Sequence, residues 1–326
     1  MRNNELAMYR AGTVIASALP GVSAYRLGQW LGWVLGRVPD YDGRRAVVAS
    51  HMGRVLGRPL TKHEQRRLVP DVFANFGRYW AESLRLPTLS YDQVAAGISM
   101  VGFENVQSAL AGGKGVIIAA PHLGGWEWGA MYLAGSGLPV TVAVEPLEPP
   151  ERFEWMARFR ERLGMQVVAV GPGAASAILQ ALRDNHIVCL LSDRLVGPTA
   201  GVEVSFFGSP AKLPAGPVTL SVRSGAPLLP AAIYYGRRAI SHTIVFRPPL
   251  ELPQEERFRA TVEGGTQALA RELEQLIRAA PSQWHITQPN WPGDPALHSV
   301  RTWSRHRARA RADGEKDKHK TGAACE

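Results

Sequence analysis

In PHLGGWE, residues 121–127, a histidine follows a proline at the end of the apolar run GVIIAAP, and a glutamate stands five residues after it. A neutral imidazole at such a place is suited to general-base work, taking a proton from a hydroxyl as its oxygen attacks an electrophile. Five helical positions sweep about 500°, which leaves two side chains about 140° apart, so His122 and Glu127 do not face each other within one regular helix. Gly124 and Gly125 permit a tight turn instead. His122 then lies in a loop, and Glu127 in the first turn of a helix beginning near Trp126. Taken alone, the pair also suits a histidine with a purely structural role.

Two more ionisable residues follow apolar runs: Glu145 after PVTVAV and Asp193 after HIVCLLS. In a parallel sheet covered on both faces, functional groups collect just past the carboxyl ends of strands. Three such residues at three strand ends have the look of an active-site rim. No G-x-S-x-G elbow, H-E-x-x-H zinc site or Walker loop occurs. No metal and no cofactor is expected. GPGAAS, residues 171–176, follows a strand and opens a helix, but Ser176 stands at the third glycine position of a dinucleotide loop, so it reads as a turn and helix cap. Without a serine or cysteine nucleophile in an evident setting, direct transfer assisted by a base is the simpler chemistry.

The elements that must hold these residues are legible in outline. The first hundred residues read as helices. LTKHEQRRLVPDVFANFGRYWAESLRLP, residues 60–87, has apolar residues at three- and four-residue spacings and stops at Pro87. From residue 115 the short apolar runs GVIIAAP, PVTVAVEP, MQVVAV and HIVCLLSD alternate with helical stretches. VEVSFFG, PLLPAAIYYG and TIVFRPPLEL add later strands, and residues 254–280 read as a long closing helix. The fold class is α/β, a largely parallel central sheet flanked by helices with a helical N-terminal region. Residues 1–100 form that region, 101–295 the α/β core of the same domain, and 296–326 a basic, disordered tail.

Composition bounds the partners. The chain has 326 residues, 45% of them hydrophobic, and a formal net charge of +9. That excess points to an anionic partner: nucleic acid, an anionic membrane surface or a phosphorylated substrate. Part of it is local, since five arginines fall between Arg301 and Arg311. A nucleic-acid module would interleave Arg and Lys with aromatics on one face, whereas here the basic density peaks in the tail, so no nucleic acid is expected. Of the two cysteines, Cys189 lies in an apolar run and reads as a buried small hydrophobe, and Cys325 is next to last. Reduced, cytosolic surroundings fit. Residues 11–36 are apolar but interrupted by Pro20, Arg26 and Gln29, short of the about 20 uninterrupted apolar residues a span requires. Trp30, Leu31 and Trp33 beside Arg26 and Arg37 suit a helix lying in a membrane interface; a helix packed on the protein's own core is the alternative.

PHLGGWE resembles the H-x4-D/E motif of the lysophospholipid acyltransferase superfamily, in the bacterial branch that contains the lipid A lauroyl acyltransferases. FRERLGM (159–165), LLSDRLVGPTAGVEVSFFG (190–208) and PSQWHITQPNW (281–291) are similar to blocks of the actinobacterial phosphatidylinositol mannoside acyltransferases. With RYWAESLRLP (78–87), the resemblance covers roughly residues 10–295. It implies transfer of a long acyl chain, typically palmitoyl, from acyl-CoA to a mannose hydroxyl of a phosphatidylinositol mannoside. It makes His122 the general base. Asp193 falls where relatives carry a glutamate partner for it, and Glu127 where they carry an aspartate, so either carboxylate remains a candidate to orient the ring, Asp193 by preference. Glu145 and Arg160 match charged residues that line the family's site. Arg160 and Arg194 then bind phosphate, hold the carboxylates, or form plain structural ion pairs. Acyl transfer to lipid A precursors is the alternative within the enzymes, and a non-catalytic basic membrane-binding protein the alternative outside them. A fatty-acyl donor and a lipid acceptor both partition to a bilayer. The resemblance therefore leads to a peripheral protein on the cytoplasmic face of the inner membrane, held by residues 11–36 and by anionic lipid.

Overall fold

The amphipathic repeat of the first hundred residues folds into helices. In the computed structural model, which describes residues 11–38, 43–146, 150–195, 201–236 and 240–297, residues 11–18 are helical. Helices α1 (Gly21–Leu35), α2 (Arg44–Val55), α3 (Lys62–Arg85) and the short α4 (Tyr91–Ala95) follow. Thr61 and Glu64 cap α3 reciprocally, and a 3-10 turn containing Pro87 ends it, as the sequence predicts. Residues 1–10 and the basic stretch from 298 onward lie outside the described residues.

α1 rests on α3 through glycines. A methyl placed on Gly32 would lie 2.1 Å from the Phe73 carbonyl oxygen, and one on Gly77 2.1 Å from that of Gly28. Only bare backbone permits so close an approach. The opposite side of α1 is apolar and open: Trp30 is 58% exposed, and Leu27, Leu31, Trp33 and Leu35 are exposed with it. One side of this helix thus packs on the protein's own α3, and the other leaves apolar side chains exposed. Among the described residues no helix is long and apolar enough to cross a membrane.

The apolar runs of the second part form a sheet. In order come β1 (Ile98–Val101), α5 (Phe103–Ala111), β2 (Val116–Ala120), α6 (Trp126–Gly135), β3 (Val140–Val144), α7 (Pro150–Arg162), β4 (Met165–Ala169), α8 (Ala174–Arg183) and β5 (Ile187–Leu191). Then follow β6 (Gly201–Phe206), β7 (Ser209–Pro214), α9 (Gly216–Ser224), β8 (Leu228–Tyr235), β9 (His242–Phe246) and α10 (Phe258–Ala279). Among the described residues seven strands make one sheet, in the order β1-β9-β8-β2-β5-β3-β4. β8, β2, β5, β3 and β4 run parallel; β9 opposes β8, and β1 runs with β9. Alternation along β2 divides the core: Ile117 and Ala119 join the layer with Phe73, Leu273 and Trp284, while Val116 and Ile118 join the layer with Trp128, Leu133 and Phe159.

Four details depart from the sequence reading. β1 straddles the end of the stretch read as helices, residues 1–100, being a four-residue edge strand that alternates half-buried and exposed and so lacks a continuous apolar run. VEVSFFG does form a strand, but β6 pairs with β7 in a separate antiparallel hairpin. β7 itself, SPAKLP, went unread because of Pro210 and Pro214, which a two-stranded ribbon accommodates on its open edges. GPGAAS is a turn, with Gly173 at φ +82° just before α8 and no side-chain cap.

Candidate active site

Strand register brings the first two residues together. Ala120 at the end of β2 pairs with Leu191 at the end of β5, and Ser192 N–H donates to the Ala120 carbonyl at 2.9 Å. His122 and Asp193 each lie two residues past that pair, on neighbouring strands. The His122 Nδ1 stands 2.6 Å from Asp193 Oδ1, and the His122 backbone N–H donates to Oδ2 at 2.9 Å. Trp284 Nε1–H donates to the same Oδ2 at 2.7 Å. The Asp193 side chain is fully buried. Burial alone raises a carboxyl, but the His122 ring, its two hydrogen bonds and the Trp284 indole outweigh it and hold Asp193 below its usual value. An ionised carboxylate only accepts, so Nδ1 carries the proton and the neutral ring presents Nε2 as its basic atom. Nε2 makes no hydrogen bond among the described residues, and the ring keeps 18% of its surface open.

The turn that sets His122 here depends on Gly124. Its φ is +62°, and a Cβ there would meet the Ile233 carbonyl oxygen at 1.7 Å. α6 begins at Trp126, so Glu127 falls in its first turn and points away from His122. Glu127 is buried and held by Arg160, whose Nη2 binds Oε1 and whose Nε lies 3.1 Å from Oε2. Tyr79 of α3 adds a third bond, its hydroxyl donating to Oε1 at 3.2 Å. Burial lowers the Arg160 guanidinium, and the Glu127 charge more than restores it. Burial and Glu127 together drive the Tyr79 hydroxyl well above its ordinary value. The glutamate five residues after the histidine is therefore an arginine's partner, and the ring's partner comes from 71 residues along the chain.

At the next strand end Glu145 accepts from Arg194 at 2.9 Å, and Arg194 also donates to Gln288 at 3.0 Å. Both arginines thus hold carboxylates. Trp126 stands edge-on to His122 at 5.5 Å and also lines an apolar cavity between α6 and the sheet, walled by Ile118, Ala130, Leu133, Val142, Ile233 and Phe246. Glu127 and Arg160 are its polar lining. Cys189, read as a buried small hydrophobe, lines it too and is partly buried against the core; its apolar surroundings push the thiol up to about 12.

The chain as a whole is similar to known proteins. A family profile described as bacterial lipid A biosynthesis acyltransferase matches residues 5–292. The chain belongs to that family. It is 34% identical over 255 residues to a phosphatidylinositol mannoside acyltransferase of Mycobacterium tuberculosis, covering 75% of this chain and 76% of the relative. With a protein of the same name from Mycolicibacterium smegmatis it shares 28% over 289 residues, 88% and 91% of the two chains. A lipid A biosynthesis acyltransferase of Haemophilus influenzae is 24% identical over 228 residues, 69% and 68%. Membership makes the protein an acyl-transferring enzyme.

Several residues at this site escaped sequence reasoning. Trp284 and Asn290, which bind the Asp193 side chain and carbonyl, lie in PSQWHITQPNW, where only the resemblance signalled importance. Tyr79 lies in the other quoted block. His285 donates its backbone N–H to the His122 carbonyl at 2.9 Å, while its ring is enclosed by Phe76, Tyr79, Trp126 and Tyr235. Neither ring nitrogen has a hydrogen-bond partner among the described residues. Burial, with the nearby His122 ring adding to it, lowers His285 to about 3, so it stays neutral.

Proposed function

We propose that the enzyme moves a long acyl group, palmitoyl for preference, from acyl-CoA to a mannose hydroxyl of a phosphatidylinositol mannoside. The observation that carries the mechanism is the His122 ring, anchored at Nδ1 by a buried carboxylate with Nε2 left as the basic atom. In this reading Nε2 takes the proton of the acceptor hydroxyl as its oxygen attacks the thioester carbonyl. Asp193 holds the tautomer and stabilises the imidazolium, which then protonates the departing thiolate. No covalent acyl-enzyme and no cofactor is needed. The apolar cavity beside Trp126 takes the acyl chain, Glu127 and Arg160 fix α6 over it, and Arg194 with Glu145 forms the charged rim where phosphate or sugar arrives.

The choice of acceptor is supported by the mycobacterial relatives, which are phosphatidylinositol mannoside acyltransferases, with a lipid A precursor as the rival suggested by the more distant one. The exposed apolar face of α1, together with Val14 and Ile15, supports a peripheral seat on the cytoplasmic face of the inner membrane. Mass spectrometry of the products formed from palmitoyl-CoA and a panel of glycolipids tests the substrate. Acylated phosphatidylinositol mannoside is expected, and product from lipid A precursors alone would overturn the choice. Liposome binding that rises with anionic lipid and falls on removal of residues 1–40 is expected for the membrane seat; indifference to both would remove it.

A further inference from the structure

A second buried histidine–carboxylate pair lies behind the first. His51 on α2 and Asp294 both have fully buried side chains, with His51 Nε2 2.8 Å from Asp294 Oδ2. Asp294 closes the segment that follows α10, residues 281–294, which runs like a strap over the two loops of the site. The strap grips the His122 loop: Gly124 N–H donates to the Gln283 carbonyl at 3.0 Å, and His285 N–H to the His122 carbonyl at 2.9 Å. It grips the other loop too, through Trp284 on the Asp193 carboxylate and Asn290 on the Asp193 carbonyl.

The second pair anchors the far end of the strap. Asp294 Oδ2 accepts from the backbone N–H groups of Asn290 and Trp291 at 2.8 and 2.9 Å, and Ser50 donates to Oδ1 at 3.1 Å. His51 reaches the strap twice, since its Nδ1 faces the Ile286 carbonyl at 3.1 Å. Its ring also lies against the two indoles, 5.5 Å from Trp284 and 5.0 Å from Trp291. The β6–β7 hairpin backs the far side, where Phe206 stacks on Trp291 and accepts its indole N–H at the carbonyl. Contact is thus continuous from His51 through Trp284 and Asp193 to His122.

We propose that the buried His51–Asp294 pair is a positioning device for the reaction, fixing Trp284 and Asn290 and through them the Asp193 carboxylate that orients His122. The inference rests on the mechanism proposed above. Small misplacement of a reacting group costs up to about 100-fold in rate. Asp294→Asn should therefore lower kcat by about 10- to 100-fold with KM for palmitoyl-CoA little changed. Trp284→Phe should lower it comparably, and the double variant should be hardly worse than either, because both act along one line. Ser50→Ala, a milder loosening of the same carboxylate, should give a smaller effect in the same direction. Independent of any substrate, the low-field NMR signal of the His122 Nδ1 proton, assigned by its loss in His122→Ala, should shift upfield or vanish by exchange in Asp294→Asn. Effects on kcat that multiply independently, or an unaltered proton signal in a folded Asp294→Asn protein, would overturn the proposal. An inactive wild type with an intact and Asp294-sensitive signal would instead count against the substrate reading alone.

Discussion

Two buried carboxylates a few residues from one another in space have been given opposite neighbours. At the β2–β5 strand ends Asp193 faces a histidine with an open edge; at the start of α6 Glu127 faces an arginine enclosed with it. A guanidinium keeps its proton at any working pH, so the second pair is a fixed clamp on α6 and the cavity beneath it. An imidazole can take up and release a proton, which suits the first pair to the proton transfer proposed for it. The carboxylate is the same chemical group in both places, and its partner decides its use.

Turnover ranks the ways to break this contrast. His122→Ala should cost about 10²–10⁴-fold in kcat with thermal melting unchanged, as loss of a general base does; near wild-type turnover in a folded variant would refute the mechanism. Asp193→Asn should follow at about 10²-fold, because an amide no longer stabilises the imidazolium and permits the wrong tautomer. Steady-state rates against pH, measured beside wild type, check it. Glu127→Gln should leave turnover per folded molecule nearly intact and appear in stability instead, since stranding a buried Arg160 charge costs about 3–5 kcal/mol. Urea melts decide this, and a catalytic loss larger than that of Asp193→Asn would exchange the two roles. The smallest effect belongs to His285. The unfolded chain binds a proton near pH 6.5 that the folded one refuses until about 3, so stability falls as pH drops through that window. His285→Phe should remove one proton's share of the acid slope, about 1.4 kcal/mol per pH unit, in melts collected between those limits.

How much of this was legible follows from what each feature asks of the chain. The parallel strands announced themselves because both faces are covered, which makes β2 and β5 unbroken apolar runs. Strand ends then located His122, Glu145 and Asp193 as one rim. The five-residue spacing excluded a His122–Glu127 contact within one helix, but it could not choose the ring's partner, because that choice depends on β5 lying next to β2. That β5 inserts between β2 and β3 is a fact of sheet order with no local signature. Trp284, Asn290, His51 and Asp294 were invisible for a similar reason. They are joined across more than 200 residues in the case of His51 and Asp294, and no periodicity marks a strap of irregular backbone. β1 and β7 were missed because edge strands and two-stranded ribbons demand so little of their residues.

The strap also sets a timetable. Protein chains emerge from the ribosome N-terminus first, at about 5–20 residues per second, so Trp284 follows Asp193 by 91 residues and about 5–18 s. During that interval the nascent chain has His122 and Asp193 but lacks the Trp284 indole, the Gln283 carbonyl and the His285 N–H that contact their loops. The contacts around His122 and Asp193 are therefore completed last, by residues 281–294, and a polypeptide released before residue 281 carries both residues without the strap proposed to align them.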